Sequence, residues 1–166
     1  VSGSPIGTSS VTWPWSAVPW DNISYNVYSA TPAVPALLTN TTERFFIQTG
    51  FTPSSTGMVL ITAVSGSLEG PASSTATTHS KAAAPQPRFT ETTSLTTTLS
   101  WDTNGNPSDI PYAVSYSTDN FALFVVDANS FTDGLFLSSF TVTGLKANTP
   151  YQMRVRAENY EGLPST

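Results

Sequence analysis

The sequence predicts an all-β protein made of two tandem antiparallel β-sandwiches. Composition is the first reason, because Ser and Thr supply 49 of the 166 residues. Thr packs well on a pleated surface through its branched Cβ, and Ser favours the turns between strands. The second reason is the scatter of 13 Pro and 10 Gly along the chain, a punctuation typical of many short strands. The third is an internal repeat, described below.

The clearest pair of strands lies in residues 140–159. Phe140 and Val142 mark one strand, and Gly144, Asn148 and Pro150 predict a turn after it. Successive side chains of a strand point to opposite faces, so a strict alternation predicts one buried and one solvent-facing side. The second strand shows that alternation, with Tyr151, Met153, Val155 and Ala157 set between Gln152, Arg154, Arg156 and Glu158.

These residues resemble the fibronectin type III family. The family carries a Leu six residues before a Tyr, then an alternating strand that ends in Arg-Ala-x-Asn; here these are Leu145, Tyr151 and residues 156–159. Trp101 and Tyr112 upstream fit the same pattern. The resemblance implies immunoglobulin-like sandwiches and a tyrosine corner, in which the Tyr151 ring enters the core and its hydroxyl bonds the backbone of the preceding turn.

The two halves of the chain repeat each other. The matching residues are Trp15 with Trp101, Tyr25 and Val27 with Tyr112 and Val114, Phe51 with Leu145, and Val59, Ile61 and Ala63 with Met153, Val155 and Ala157. A repeat of about one sandwich predicts two modules. We place them at residues 1–84 and 85–166, with a longer and unusually apolar middle segment, 118–138, in the second. We expect that segment to form a strand, a polar excursion at 127–129 and a cover for the sandwich.

The first module departs from the family pattern at Gly57, which stands where the tyrosine is expected. Its turn must therefore close by other means, and we expect the side chains of Ser54, Ser55 or Thr56 to bond the local backbone. Earlier in this module, Trp13 and Trp15 are predicted on one face of a strand, residues 31–35 as a Pro-punctuated loop, and residues 73–78 as the last strand.

The joint between the modules, residues 78–89, is predicted to be short. Pro85 and Pro87 stiffen it, and His79 is predicted to be a solvated linker residue. The chain starts at Val1 and stops after a strand, so we expect it to be a fragment of a longer exported or cell-surface protein.

Charge argues against two classes of partner. The net charge is −5 with only six basic residues, whereas nucleic acids and anionic membranes select basic surfaces. No apolar run approaches the ~20 residues that span a bilayer. There is no cysteine, so disulfides, thiolate metal sites and cysteine nucleophiles are excluded.

No catalytic, cofactor or metal site is expected. His79 is the only histidine, and neither a serine-hydrolase motif, a phosphate loop nor zinc-ligand spacing accompanies it. Residues 102–109 resemble the start of a calcium loop, but Gly105 is fourth and Ala113 stands where a bidentate carboxylate would be. We interpret their Asn and Asp side chains as turn formers.

Two further groups of residues have competing interpretations. Arg154 and Arg156 share the outer face of one strand and could hold an acidic ligand, but a solvated face is the commoner arrangement. Trp13, Trp15 and Trp20 could form a sugar platform, although only Trp20 is predicted to be exposed. Family members that bind integrins carry Arg-Gly-Asp between the last two strands, and residues 159–162 lack it.

The favoured function is a non-catalytic spacer or protein-interaction pair within a larger surface or secreted protein, monomeric and without cofactor. The alternative is an accessory module, for carbohydrate or another ligand, attached to an enzyme outside this stretch. Fold alone does not decide between them, because this sandwich hosts many functions.

Overall fold

The computed structural model describes residues 1–30 and 34–166. It divides into two compact units, Val1–Lys81 and Ala82–Thr166. The loop predicted at residues 31–35 falls largely on 31–33, outside the described residues. Ala82 packs in the core of the second unit, so this unit begins three residues before the predicted position.

The first unit is a sandwich of two antiparallel sheets. One sheet has the order β1-β2-β5, and the other has the order β4-β3-β6-β7, with β8 also paired to β6. Its strands are β1 (Ser4–Pro5), β2 (Ser10–Pro14), β3 (Ser24–Ser29), β4 (Ala36–Thr41), β5 (Phe45–Thr49), β6 (Thr56–Ser65), β7 (Leu68–Glu69) and β8 (Ala76–His79).

The second unit repeats this plan with two three-stranded sheets, ordered β13-β10-β9 and β12-β11-β14. A single 3-10 turn, Phe131–Asp133, precedes β13. The strands are β9 (Gln86–Thr92), β10 (Thr97–Asp102), β11 (Tyr112–Ser117), β12 (Val126–Asn129), β13 (Ser139–Val142) and β14 (Gln152–Ala157).

Each sandwich encloses its own core, built from the inward-facing positions of its strands as period-2 alternation requires. The first core consists of Val11, Trp13, Tyr25, Val27, Val59, Ile61 and Ala76. The second consists of Ala82, Leu99, Trp101, Ile110, Tyr112, Val114, Val142, Leu145, Val155 and Ala157.

Backbone hydrogen bonds place the repeated residues at matching points of the two units. Trp15 N–H donates to the Arg44 carbonyl at 3.0 Å, and Trp101 N–H donates to Ser138 at 2.9 Å. Strand register agrees, because Tyr25 lies opposite Ala63 and Tyr112 lies opposite Ala157. Gly57 in β6 therefore occupies the position that Tyr151 holds just before β14.

Two local expectations are wrong. His79 is not a linker residue: it ends strand β8, where it lies opposite Thr56, so the last strand of the first unit runs later than predicted. Asp127 and Asn129 do not form an excursion but belong to β12. A register shift at Val114/Ser115 admits Ala128 as an extra residue, which packs on the core.

Candidate functional site

The predicted core aromatics occur as matched pairs. The rings of Trp101 and Tyr112 have centroids 5.4 Å apart, and those of Trp15 and Tyr25 are 5.5 Å apart and edge-on. Trp101 is 5% exposed, Tyr112 1% and Leu145 7%. Trp15 is only partly buried and packs at the margin of the first core. In that unit the fully buried indole is Trp13, whose Nε1–H donates to Gln48 Oε1 at 3.1 Å.

The tyrosine corner of the second unit is formed by Tyr151. The Lys146 backbone N–H donates to its hydroxyl at 3.1 Å, and its ring meets Tyr116 edge-on with centroids 5.6 Å apart. The hydroxyl thus satisfies a backbone donor of the turn that precedes β14, while the ring packs against the core.

Replacing Tyr151 by phenylalanine should lower the stability of the second unit by about 1 kcal/mol, because the ring is kept and one backbone hydrogen bond is lost. Urea unfolding followed by hydrogen-exchange mass spectrometry would report each unit through its own peptides. Tyr116→Phe, which removes the hydroxyl of the ring that packs edge-on against Tyr151, is the control. An unchanged unfolding midpoint for the second unit would show that the corner bond contributes nothing.

The first unit fills the same corner with different side chains. A Cβ added at Gly57 would lie 2.8 Å from Phe51 Cζ and 2.9 Å from Trp13 Cζ2. The two rings therefore occupy the space above the glycine. Phe51 replaces the smaller Leu145, and Trp13 stands where the second unit has Leu99. The aromatic rings at this corner are therefore those of Trp13 in β2 and Phe51 before β6, and none comes from β6 itself.

Serine side chains close the turn of the first unit. Ser55 Oγ donates to the Thr52 carbonyl at 2.7 Å, which agrees with the expected local bonding. Ser80 was not anticipated: its Oγ also donates to Thr52 O at 2.7 Å and accepts from Ser55 N–H at 3.1 Å. Ser54 adopts a left-handed φ of 55°, and its Oγ is not among the bonding atoms.

In the loop that resembles a calcium site, the Asn and Asp side chains form hydrogen bonds within the protein. The buried Asn106 side chain accepts from Ala83 N–H and donates to Ala83 O, both at 2.8 Å. Asp102 accepts from Asn104 N–H. Tyr160 donates to Asp109, and this hydrogen bond raises the pKa of Tyr160 to about 12. Among the described residues no three His, Asp or Glu side chains are grouped as metal ligands.

The two arginines of β14 are covered by aromatic rings. The Arg154 guanidinium lies 4.5 Å from the centroid of Phe121, and that of Arg156 lies 5.7 Å from the centroid of Phe131. Both rings come from the apolar segment 118–138, which therefore covers this face as predicted for the segment. Both arginines are half-buried, so the face that was expected to be solvated is partly covered, and cation–π contacts compete with hydration there.

A carboxylate holds the start of that segment in a fixed conformation. Asp119 accepts hydrogen bonds from the backbone N–H groups of Ala122, Leu123 and Phe124 at 3.2, 2.8 and 3.1 Å, and from Ser117 Oγ at 2.6 Å. Phe121 has a φ of 61°, which is strained for a bulky side chain. The loop thereby presents Leu123 and Phe124 to solvent, 85% and 67% exposed.

Protonation of Asp119 should release this loop. Hydrogen bonds from Ser117 first, and then from the three backbone donors, lower the pKa of the Asp119 carboxyl. A lowered folded-state pKa means that the stabilisation is complete above the unfolded value of about 4 and is lost as the pH falls through the folded value. The amide resonances of Leu123 and Phe124 should therefore shift together in acid. Asp119→Asn should abolish that acid transition and Asp127→Asn should keep it; a transition unchanged in Asp119→Asn would contradict the assignment.

An open groove in the first unit surrounds the exposed indole. Trp20 is 70% exposed, as predicted. It lines a groove of about 370 Å³ together with Ile23, Leu68, Glu69 and Pro71. Trp13 is fully buried, which excludes a sugar platform made of Trp13, Trp15 and Trp20.

The chain resembles solved structures over nearly its whole length. A two-domain fibronectin type III segment from chicken tenascin superposes with a TM-score of 0.54 at 16% identity, covering 99% of this chain and 91% of that one. The chicken CNTN1 FN1–FN3 domains give 0.47 at 19% identity, covering 99% of this chain and 60% of that one. No curated protein sequence matches. Within the described residues, no helix has the length and apolar character needed to cross a bilayer.

The sequence similarity to a known family lies in the second unit. The fibronectin type III domain profile matches residues 83–166, which carry the tyrosine corner, the Trp101–Tyr112 pair and the β14 alternation. The first unit shares the same strand register, and Trp15 makes the backbone bond that Trp101 makes in the second unit. The chain belongs to the fibronectin type III family, as two tandem immunoglobulin-like sandwiches.

Proposed function

We propose that the chain acts as a non-catalytic spacer and protein-interaction pair within an extracellular or cell-surface protein, and that it is monomeric. Family membership supports this, since fibronectin type III modules typically serve as interaction or spacer domains and their fold is generally non-catalytic.

The observation that carries the proposal is the ridge formed by Leu123, Phe124, Val125 and Val126. Each of these side chains is at least 46% exposed. Contiguous exposed apolar residues commonly mark protein-interaction sites. The Asp119 hydrogen bonds hold the start of the ridge in place before any partner arrives, which lowers the ordering cost of binding.

A binding assay on intact cells of the source organism tests this function. The fluorescently labelled chain should bind saturably, and Leu123→Ser with Phe124→Ser should weaken binding by about tenfold or more, because exposed apolar anchors supply most of the contact energy. Leu95→Ser, at another exposed leucine of the same unit (56% exposed), is the control. Equal binding of all three proteins would contradict an interaction role for the ridge.

A second candidate function is an accessory carbohydrate-binding module attached to an enzyme. Trp20 favours it, because an exposed indole face can stack on a sugar ring. A glycan array with wild type and Trp20→Ala tests this candidate: a saccharide that binds only the wild type would support it, and an array without such a saccharide would eliminate it.

A further inference from the structure

The groove around Trp20 combines an exposed aromatic face with a fixed carboxylate. Glu69 lines the groove and lies on β7, at one end of the sheet order. Tyr28 donates its hydroxyl to Glu69 Oε1 at 2.7 Å, and Thr62 donates to the same oxygen. Both of these hydrogen bonds end on Oε1.

The same hydrogen bonds keep Glu69 ionised. Those from Thr62, Tyr28 and Asn26, in that order, lower the pKa of the Glu69 carboxyl. The groove therefore carries a negative charge at neutral pH, from Glu69. The first unit has only two basic residues, Arg44 and Lys81, and neither lines the groove.

The rest of the lining is apolar. Ile23, Ala63 and Pro71 contribute to the walls, and Leu68, 77% exposed, lies beside Glu69. An indole face attracts cations through its quadrupole, and a nearby carboxylate accepts hydrogen bonds from the same cation. Apolar walls suit the methylene stem of a long basic side chain. A neutral sugar would use the indole but would leave the charge of Glu69 without a counterpart.

We propose that this groove binds an arginine or lysine side chain of a partner protein, with the cation stacked on Trp20 and hydrogen-bonded to Glu69. This inference rests on the proposed interaction function and names the chemistry of a partner at a surface separate from the Leu123–Val126 ridge.

Peptide titration followed by NMR tests the inference. The probes are acetyl-Gly-Arg-Gly-amide, the corresponding lysine peptide, the citrulline peptide (nearly isosteric with arginine but uncharged) and methyl glucoside. Binding is followed on the Trp20 indole N–H and on the Ile23 and Leu68 methyl groups. We expect saturable shifts with a charged peptide, and citrulline should bind at least about fivefold more weakly.

Variants show whether the two named side chains form the site. Trp20→Leu and Glu69→Gln should each weaken arginine-peptide binding by about fivefold, whereas Glu43→Gln, which removes a carboxylate elsewhere in this unit, should not. Trp20 is a surface residue, so its replacement keeps the test valid even if Glu69→Gln disturbs the sheet edge. Equal shifts with arginine and citrulline peptides, or shifts with methyl glucoside alone, would overturn the proposal. If the peptides do not bind in the groove but cell binding still depends on the Leu123–Val126 ridge, the groove proposal fails and the proposed function stands.

Discussion

Replacing Gly57 by tyrosine, the residue at the matching position of the second unit, should unfold the first unit under conditions where the second stays folded. The new Cβ would lie 2.8 Å from Phe51 and 2.9 Å from Trp13, and the ring would need space that these two rings fill. Inserting atoms into a packed core typically costs 1–3 kcal/mol. Here two buried rings must move, so we expect a loss of about 3 kcal/mol or more.

Hydrogen exchange of the full chain would measure this loss separately for each unit. Met58→Tyr is the matched control, because Met58 is the next residue of β6 and its side chain lies on the other face of the strand. It should leave the protection of the first unit nearly unchanged. A Gly57→Tyr protein as stable as wild type would show that the space is not occupied as described.

Removing the Asn106 side chain should destabilise the second unit by about 2–4 kcal/mol. Asn106→Ala deletes two hydrogen bonds and leaves the buried N–H and carbonyl of Ala83 without partners, and each such group costs about 1–3 kcal/mol. Asn106→Asp should also destabilise the unit, because a carboxylate accepts from Ala83 N–H but does not donate to Ala83 O. Urea unfolding measures both losses.

Asn104→Gly is the control for this loop. Glycine accepts the φ of 56° at this position, and the side chain makes only one exposed bond, to Ala84 O at 3.2 Å. We expect a loss of well under 1 kcal/mol. If Asn106→Ala were no more harmful than Asn104→Gly, the bonds to Ala83 would not be what holds the start of this unit.

The sequence predicts well those features that depend on local pattern. The alternation from Tyr151 to Glu158 identifies β14 because strand faces follow a period of two residues. The tyrosine corner at Tyr151 was implied by the resemblance to the fibronectin type III family, to which the Leu145–Tyr151 spacing contributes. The match of Trp15 to Trp101 follows from the internal repeat, because both halves of the chain carry the same pattern of residues.

Features that depend on contacts between distant segments were not predicted. Gly57 was recognised as a missing tyrosine, but nothing nearby in sequence shows that Trp13, 44 positions earlier, covers it. Ser80 was missed because it reaches the turn of residues 52–55 from the segment directly after β8, 25 positions from Ser55. The ring contacts of Arg154 and Arg156 arise in the same way. Asp119 carried a local signal, the Ser117-Thr-Asp119 turn, which could have been recognised.

The claim that both units share one plan is tested most directly by giving the first unit the corner residues of the second and measuring the stability of the first unit. In the first unit, Trp13→Leu, Phe51→Leu and Gly57→Tyr together reproduce the second unit's Leu99, Leu145 and Tyr151. If both units are the same sandwich with redistributed ring volume, the triple variant should be more stable than Gly57→Tyr alone by about 1 kcal/mol or more, a non-additivity expected only of residues in contact. If the first unit of the triple variant lost as much stability as the three single substitutions lose in total, the result would contradict the shared plan.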